Sequence, residues 1–480
     1  MPQPSGKFPN QNTLKFILTF LFVFLIGLQV RLFPLQNYSP EIYNERASLY
    51  VVSKLKEKVA ERINQQYPGI SPTDRIFLNK KMFDEIFHRE RDNLRKSINT
   101  IRQEMAKENP AEKKYPYLLA SDSYYYLYLT QQLVDTGRIS DQVKGSKYFH
   151  KLMLAPEGFW EPITLHPYSG YFVYKVMKIF NPSVSLMVAV SFANIVLMGI
   201  ILFLFMILCR TLNFTWLTTL IGSVFFILAP IYVKRSVFAW YDNDAYNILF
   251  PILTLLFLWL GFKHIRQPRR LLAFSILSAL SLCLYSFFWQ GWIFLLSIIF
   301  ISSLMVMAYQ RFYLKDVPVG KSSLKFIGIL FLLTLLLITL AFGMKDFLEL
   351  FKDGWKALSN FLTPQLSIWP DLYISVGELH RASLNQMIEL TGGYFVFAVS
   401  ILGIMAAVFN LIKKNEERYP VLITLTVLFV LSIKLTLGAQ RFALLCTVPA
   451  ALLFIYGLEN LISVTKKIAA SFLPKPSNHQ

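Results

Sequence analysis

Runs of about 20 mostly apolar residues recur along this chain, and nothing else in the sequence limits the fold so severely. They lie at about 14–33, 184–208, 214–232, 245–262, 271–288, 291–309, 324–342, 394–412, 421–437 and 442–461. Within lipid every backbone N–H and C=O must be satisfied inside the protein, so only helices and closed barrels cross. Runs of this length suit helices; a barrel strand needs only about 10 residues. The sequence therefore predicts an all-α polytopic membrane protein of about ten or more transmembrane helices. The first run is too long for a signal-peptide core and lacks a small-residue cleavage site, so it is expected to be retained.

Charge orients the runs. The net charge is +19, but in a spanning chain an excess of Lys and Arg belongs to cytoplasmic loops, so no nucleic-acid partner is implied. Lys263, Arg266, Arg269 and Arg270 follow the fourth run, Arg311, Lys315 and Lys321 the sixth, and Lys413, Lys414 and Arg418 the eighth. Lys466, Lys467 and Lys475 follow the last. With ten spans all these loops and both termini fall on one face, expected to be cytoplasmic at a plasma or inner membrane. Cys209, Cys283 and Cys446 lie in or beside apolar runs, so neither disulfides nor a cysteine metal site is expected.

The chain divides accordingly. Residues 1–35 are a cytoplasmic tail and first span. Residues 36–181 are a large extracytoplasmic loop with a helical hairpin insertion at about 41–112 and an acidic-motif segment at 118–170. In the hairpin, Leu49, Val52, Leu55, Val59 and Ile63 recur at helical spacing. Tyr67-Pro68-Gly69 breaks the run, and Ser71-Pro72-Thr73-Asp74 reads as a fresh start. The aromatic stretch 158–177 is expected to be irregular, and Tyr124, Tyr125 and Tyr126 are read as interfacial packing. Residues 182–343 carry further helices, with an acidic outer loop at 233–244. Residues 344–391 form a second outer loop, and 392–480 the last helices and a cytoplasmic tail.

The acidic outer loop reads VKRSVFAWYDNDAYNILFP. Asp242 and Asp244 could be a solvated turn, or two hard oxygen ligands for a divalent cation beside a phosphate. Charge this close to hydrocarbon favours a functional site. Arg235 could touch an anionic substrate or simply pair with Asp242. Lys234, Arg235 and Arg441 are basic residues on the outer side, against the charge rule, and Lys434 lies in a span not far below Arg441; such residues call for anionic partners, and arginine matches phosphate oxygens bidentately.

At this point the chain resembles the catalytic subunit of oligosaccharyltransferase and its single-subunit bacterial and archaeal relatives, which are GT-C glycosyltransferases. Asp122 in SDSYYYL resembles the family's acidic residue in the first outer loop. Arg235, Asp242 and Asp244 in RSVFAWYDND resemble the second-loop motif. Ser375 to Glu378, SVGE, resembles the Ser/Thr-x-x-Glu motif, and GAQRFALLC resembles the arginine-bearing start of a late span. The family pattern also includes thirteen spans and a C-terminal Trp-Trp-Asp domain. No Trp-Trp pair occurs here, so acceptor recognition is expected from a partner, from the hairpin, or for a different acceptor.

The resemblance implies a GT-C bundle transferring a glycan from a polyprenyl-(di)phosphate donor to a protein or peptide acceptor on the extracytoplasmic side. It implies Asp122, Asp242 and Asp244 as metal ligands for Mg2+ or Mn2+, and Glu378 at the acceptor. Arg441, with Arg235 and Lys434, would hold the donor phosphate. Asp122, Asp242 and Glu378 would be the catalytic set. Two other classes stay open: a GT-C transferase that glycosylates a lipid or polysaccharide, and a membrane transporter. The transporter would carry internal repeats and acids at mid-membrane depth, and neither is seen.

Overall fold

A computed structural model describes residues 11–108, 117–140, 142–151, 156–349, 351–352 and 380–472. The chain forms two compact units, Met1–Arg31 with Leu119–Gln480, and Leu32–Leu118. The larger unit begins with α1 (Gln11–Arg31). The smaller is three helices, α2 (Phe33–Gln66), α3 (Pro72–Arg89) and α4 (Arg91–Glu108). Ser71 caps α3, its Oγ accepting the Asp74 backbone N–H at 3.2 Å, which satisfies one of the donors a helix start leaves open. Along α2, Ala47, Val51, Val59 and Ile63 are buried while Leu49 is exposed. The buried stripe is thus offset from the expected one in its first turns.

The larger unit continues with α5 (Ser121–Thr136) and a three-stranded antiparallel sheet, β1 (Val143–Lys144), β2 (Lys147–His150) and β3 (Phe159–Pro162). Lys147 pairs with Pro162 and His150 with Phe159. Then come α6 (His166–Phe180), α7 (Leu186–Ser191), α8 (Ala193–Thr211), α9 (Trp216–Ile227) and α10 (Pro230–Lys234). The all-α expectation therefore holds for the membrane body, and the stretch expected to be irregular is instead β3 and the first turns of α6. Strand pairing explains the difference: β3 has no alternating pattern of its own and is fixed by β2. The β1–β2 turn is fastened to the second polar interval, with Ser146 Oγ donating to the Asp346 carboxylate and Lys147 Nζ 3.2 Å from Glu349.

The bundle is completed by α11 (Tyr246–Lys263), α12 (Pro268–Ser286), α13 (Trp292–Ala308), α14 (Val317–Phe342), α15 (Leu384–Thr391), α16 (Gly393–Ile412), α17 (Tyr419–Gly438) and α18 (Ala443–Phe472). Among the described residues nine helical stretches are long and apolar enough to cross a membrane. The expected span at 214–232 is not one of them. It is the 12-residue α9, a break, and the short α10. Pro230 lacks the N–H that would carry the helix on. A buried arginine occupies the break: Arg31 donates from Nη2 to Ile227 O at 3.1 Å, from Nε to Ser236 Oγ at 2.8 Å and from Nη1 to Gly27 O at 3.3 Å, with its guanidinium 4.7 Å from the Tyr232 ring centre. The backbone exposed by the proline is thus satisfied by protein, as membrane depth requires.

The two ends of this unit differ chemically. At one, the loops rich in Lys and Arg meet: Arg266 is 3.2 Å from Asp316, Tyr309 donates to Leu411 O at 2.6 Å, and Lys414 lies over Tyr313. A half-buried network closes that end. Arg418 reaches Glu416 at 2.8 Å and Glu459 at 3.5 Å, Tyr456 donates to Glu416 at 2.7 Å, and Glu459 accepts the Thr215 N–H at the start of α9 at 2.6 Å. Burial acts to raise the Glu416 carboxyl, but hydrogen bonds and charge from Arg418, with the Tyr456 hydroxyl, outweigh it and hold the group below the usual carboxylate range. A carboxyl with a lowered folded value contributes stability above the unfolded value of about 4.3 and loses it as pH falls through the folded one. The parental protein is therefore expected to lose thermal stability on acidification below about pH 4.3 more steeply than Glu416→Gln. Parallel acid limbs in detergent melting curves would count against this linkage.

Candidate functional site

The other end carries the acids, and the segment between α10 and α11 organises it. Ala239 has φ +68°, a left-handed conformation costly for a residue with a Cβ. Two backbone bonds hold it there: its N–H donates to Ser191 O at 3.1 Å, and its carbonyl accepts the Leu119 N–H at 3.0 Å. Over-determination of this kind is how strained backbone persists at functional sites. Two residues on, the Tyr241 N–H donates to Ser123 Oγ at 3.0 Å, and its hydroxyl lies 2.8 Å from Thr130 Oγ1. The Tyr241 ring packs onto Gly170 of α6, where any Cβ would overlap its hydroxyl. The loop bearing Asp242 and Asp244 is thereby docked on the first turn of α5, which carries Asp122.

Asp242 caps the short 3-10 turn Asn243–Ala245, its Oδ1 accepting the Asn243 N–H at 2.6 Å. Asn194 of α8 donates to Trp240 O at 2.6 Å and Asp242 O at 3.2 Å. Asn243 donates to the Tyr126 hydroxyl at 2.9 Å and to Phe288 O at 2.6 Å, fixing the junction between α12 and α13. Asp244 is buried and pairs with Arg235 at 3.0 Å. The sequence suggested Asp242 as that partner. The distinction matters, because it leaves Asp242 the less compensated carboxylate.

Burial pushes the Asp242 carboxyl well above its usual range, and the negative charges of Asp244 and Asp122 push it further; the Asn243 backbone and Arg235 only partly oppose them. The Tyr126 hydroxyl is raised by burial and by Asp242, Tyr148, Asp122 and Asp244. His166, wholly buried between Tyr126 and Tyr241 with ring centres 4.5 Å from each, is lowered to about 3 by burial and stays neutral. Acidic groups thus crowd a low-dielectric site, and Asp242 holds its proton more tightly there than it would in water.

Beside these residues opens a cavity of about 320 Å³, lined among others by Tyr125, Tyr126, Glu161, Asn243, Trp289 and Arg441. Arg441, in the turn Gln440–Phe442 before α18, sits 5.9 Å from the Trp289 ring centre. Asp242 and Asp244 are not part of its wall; they stand behind it, linked through Asn243.

Of the residues singled out from sequence, Asp122, Asp242, Asp244 and Arg235 come together here, and Arg441 lines the adjoining cavity. Lys434 is exposed on α17 and does not line the cavity. Glu378 lies outside the described residues. Among the described residues no three His, Cys, Asp or Glu side chains stand together as a metal-holding group. The donor chemistry of hard, buried carboxylate oxygens suits Mg2+ or Mn2+, but a ligand geometry is not formed by these residues alone. Sequence reading missed Glu161, Trp289 and the part played by Tyr125 and Tyr126, which form cavity wall rather than interfacial packing. The juxtaposition of Trp289 with Gln290 between two apolar runs was the available signal, since a polar break there needs partners.

Comparison with known proteins agrees with this architecture. Residues 109–474 match the family model described as Oligosaccharyl transferase STT3, N-terminal. The dolichyl-phosphooligosaccharide-protein glycotransferase of Methanococcus voltae is 21% identical over 320 residues, covering 61% of this chain and 35% of that protein. The archaeal oligosaccharyltransferase AglB from Archaeoglobus fulgidus, solved with an inhibitory peptide and a dolichol-phosphate, superposes with a TM-score of 0.53 at 12% identity, over 75% of this chain and 49% of that one. The apo form of the Archaeoglobus fulgidus enzyme gives 0.53 at 13%, again over 75% and 49%. At such identities the structural likeness is one of fold. The chain spans about a third of the curated relative and half of the solved ones. An integral multi-pass membrane protein of GT-C fold, matched over most of its length, this chain belongs to the oligosaccharyl transferase STT3 family.

Proposed function

We propose that the chain is a membrane glycosyltransferase that moves a glycan from a polyprenyl-(di)phosphate donor to the side chain of a protein acceptor. The observation that carries the reading is the convergence of Asp122, Asp242 and Asp244, from two segments far apart in sequence, beside a cavity lined by Arg441. A phosphate leaving group develops negative charge as its glycosidic bond breaks, and fixed positive charge lowers that barrier. The Arg441 guanidinium suits that task, since it offers a bidentate fork to phosphate oxygens. Arg235 acts indirectly, holding Asp244 in place.

Asp122, Asp242 and Asp244 would hold Mg2+ or Mn2+. When bound, such an ion supplies Lewis-acid charge to the departing phosphate oxygens. The accumulation of poorly compensated carboxylate at Asp242 supports that assignment. Glu378 would orient the acceptor nucleophile. Clustering of Lys and Arg loops at the opposite end supports an extracytoplasmic site and cytoplasmic termini. The donor and acceptor classes rest on the relative solved with a dolichol-phosphate and a peptide. A lipid tail also accounts for a site at the end of a helical bundle, where the tail stays in the bilayer while the head enters the cavity.

Incubation of purified protein with a labelled polyprenyl-diphosphate glycan, Mn2+ and an Asn-x-Thr peptide is expected to label the peptide. Label found solely in lipid or polymer would overturn the protein acceptor, and no consumption of donor would overturn the transferase reading.

A further inference from the structure

One polar network at the cavity wall has no part in the chemistry above. Glu161 of β3 turns its carboxylate toward α5 and β2. Tyr125 donates to its Oε2, and the Tyr148 hydroxyl lies 3.4 Å from the same oxygen. The Tyr125 hydroxyl is also 2.8 Å from the Tyr148 hydroxyl and 2.7 Å from His150 Nε2. Tyr125 has a single hydroxyl proton. Once it is given to Glu161, both neighbours must donate to the Tyr125 oxygen, so His150 carries its proton on Nε2. Burial lowers the His150 imidazole below its ordinary value, against the pull of Glu161, and burial first of all raises the Tyr125 and Tyr148 hydroxyls. Each group thus keeps the form this chain of donation requires, and the chain ends on the carboxylate.

The network spends Oε2 and leaves Oε1. Among the described residues no hydrogen bond is made to that oxygen, and the Glu161 side chain is 27% exposed and lines the cavity. A rigidly held carboxylate at a cavity wall, with one oxygen uncommitted, is an acceptor for a ligand O–H or N–H. It also repels any ligand carboxylate placed there. The same cavity is lined by the apolar Trp289 side chain and by Arg441, which supplies a cation. Its volume is that of a small ligand site.

We propose that Glu161 is a specificity-determining residue that reads the lipid-proximal sugar of the donor. Its Oε1 accepts hydrogen bonds from an uncharged sugar bearing hydroxyl or amide N–H groups, and it excludes a sugar carrying a carboxylate at that position. This rests on the glycan-donor reading of the cavity.

The test uses the full-length protein in detergent and two synthetic short-chain prenyl diphosphate sugars, one carrying an N-acetylhexosamine and one a hexuronic acid, with affinities measured by calorimetry. The parental protein is expected to prefer the uncharged sugar by about tenfold or more, the scale on which a misplaced polar or charged group discriminates. Glu161→Gln keeps the shape and can still accept from Tyr125; it is expected to bring the two affinities within about threefold, chiefly by tighter binding of the uronic acid. Tyr125→Phe, which frees the carboxylate to move, is expected to lose part of the discrimination. If the parental protein binds both sugars equally, or Glu161→Gln leaves the ratio unchanged while its melting temperature matches the parent, the assignment of Glu161 falls and the donor reading stands. If the parental protein binds neither compound, both fall.

Discussion

Asp242→Asn is expected to yield a protein that is more stable and nearly inactive. The two effects share one cause. Asp242 is buried, faces Asp244 and Asp122, and sees its nearest cation committed to Asp244. A neutral amide removes that repulsion without leaving a hole. Asparagine caps a helical turn as well as aspartate, so the bond from the Asn243 N–H survives. A gain of about 1 kcal/mol is in line with relieving a single unfavourable site. Turnover is expected to fall about 10²–10³-fold, the scale for losing one group that organises charge in a transition state.

Stability against pH supplies a second readout of the same substitution. A carboxyl whose folded value is raised binds its proton more tightly in the fold than in the unfolded chain. The parental protein therefore loses stability as pH rises from about 3.9 through the folded value, and Asp242→Asn lacks that slope. Mn2+ is expected to raise the melting temperature of the parental protein and to leave Asp242→Asn nearly unmoved. A substituted protein that melts lower than its parent, or that transfers glycan at the parental rate, would refute the account of Asp242.

Gly457→Leu is expected to prevent the bundle from assembling. Gly457 of α18 and Gly403 of α16 face one another so closely that a Cβ on either would collide with backbone: Gly457 with Val399 O, Gly403 with Leu453 O. Ser400 Oγ donates to Ala450 O at 2.9 Å one turn away. Small residues allow such approach, and in lipid close packing replaces the hydrophobic drive that water would give. A carbonyl cannot rotate aside as a side chain can, so the helices must separate. Gly457→Ala alone is expected to cost about 3 kcal/mol, the upper range of overpacking. Gly403→Ala with Gly457→Ala should cost less than the two single changes together, because one separation accommodates both. Thermal unfolding of the four proteins in detergent gives the comparison; strict additivity would show that the two glycines act independently.

The wider consequence of this contact concerns the site. Arg441 sits in the turn that leads into α18, and Phe442 packs in one apolar cluster with Phe294 and Ala439, against Trp289. Shifting α18 therefore displaces a cavity wall about half a helix length from Gly457. Variants that stay folded are expected to bind donor more weakly without any change in a residue lining the cavity.

Nine of the ten expected spans are present as long apolar helices, because lipid leaves a run of about 20 apolar residues almost no alternative. Local chemistry also marked the cap at Ser71 and the acidic loop. The third run misled for a specific reason: its composition is that of a span, and the break at Pro230 is completed by Arg31, about 200 residues earlier in the chain. No property of either segment alone announces that pairing.

The site divides along the same line. Composition and near neighbours suffice for a membrane bundle, for the residue types available at its outer loops, and for the order Asp122, Arg235, Asp242, Asp244, Arg441. Only the packing of distant segments pairs Arg235 with Asp244 and leaves Asp242 less compensated, joins Tyr125, His150 and Glu161 in one network, and brings Trp289 and Arg441 to one cavity. The physical reason is range. Hydropathy acts on each residue wherever it lies, whereas hydrogen bonds and ion pairs act over about 3 Å, and what lies within that distance is fixed only when distant segments pack.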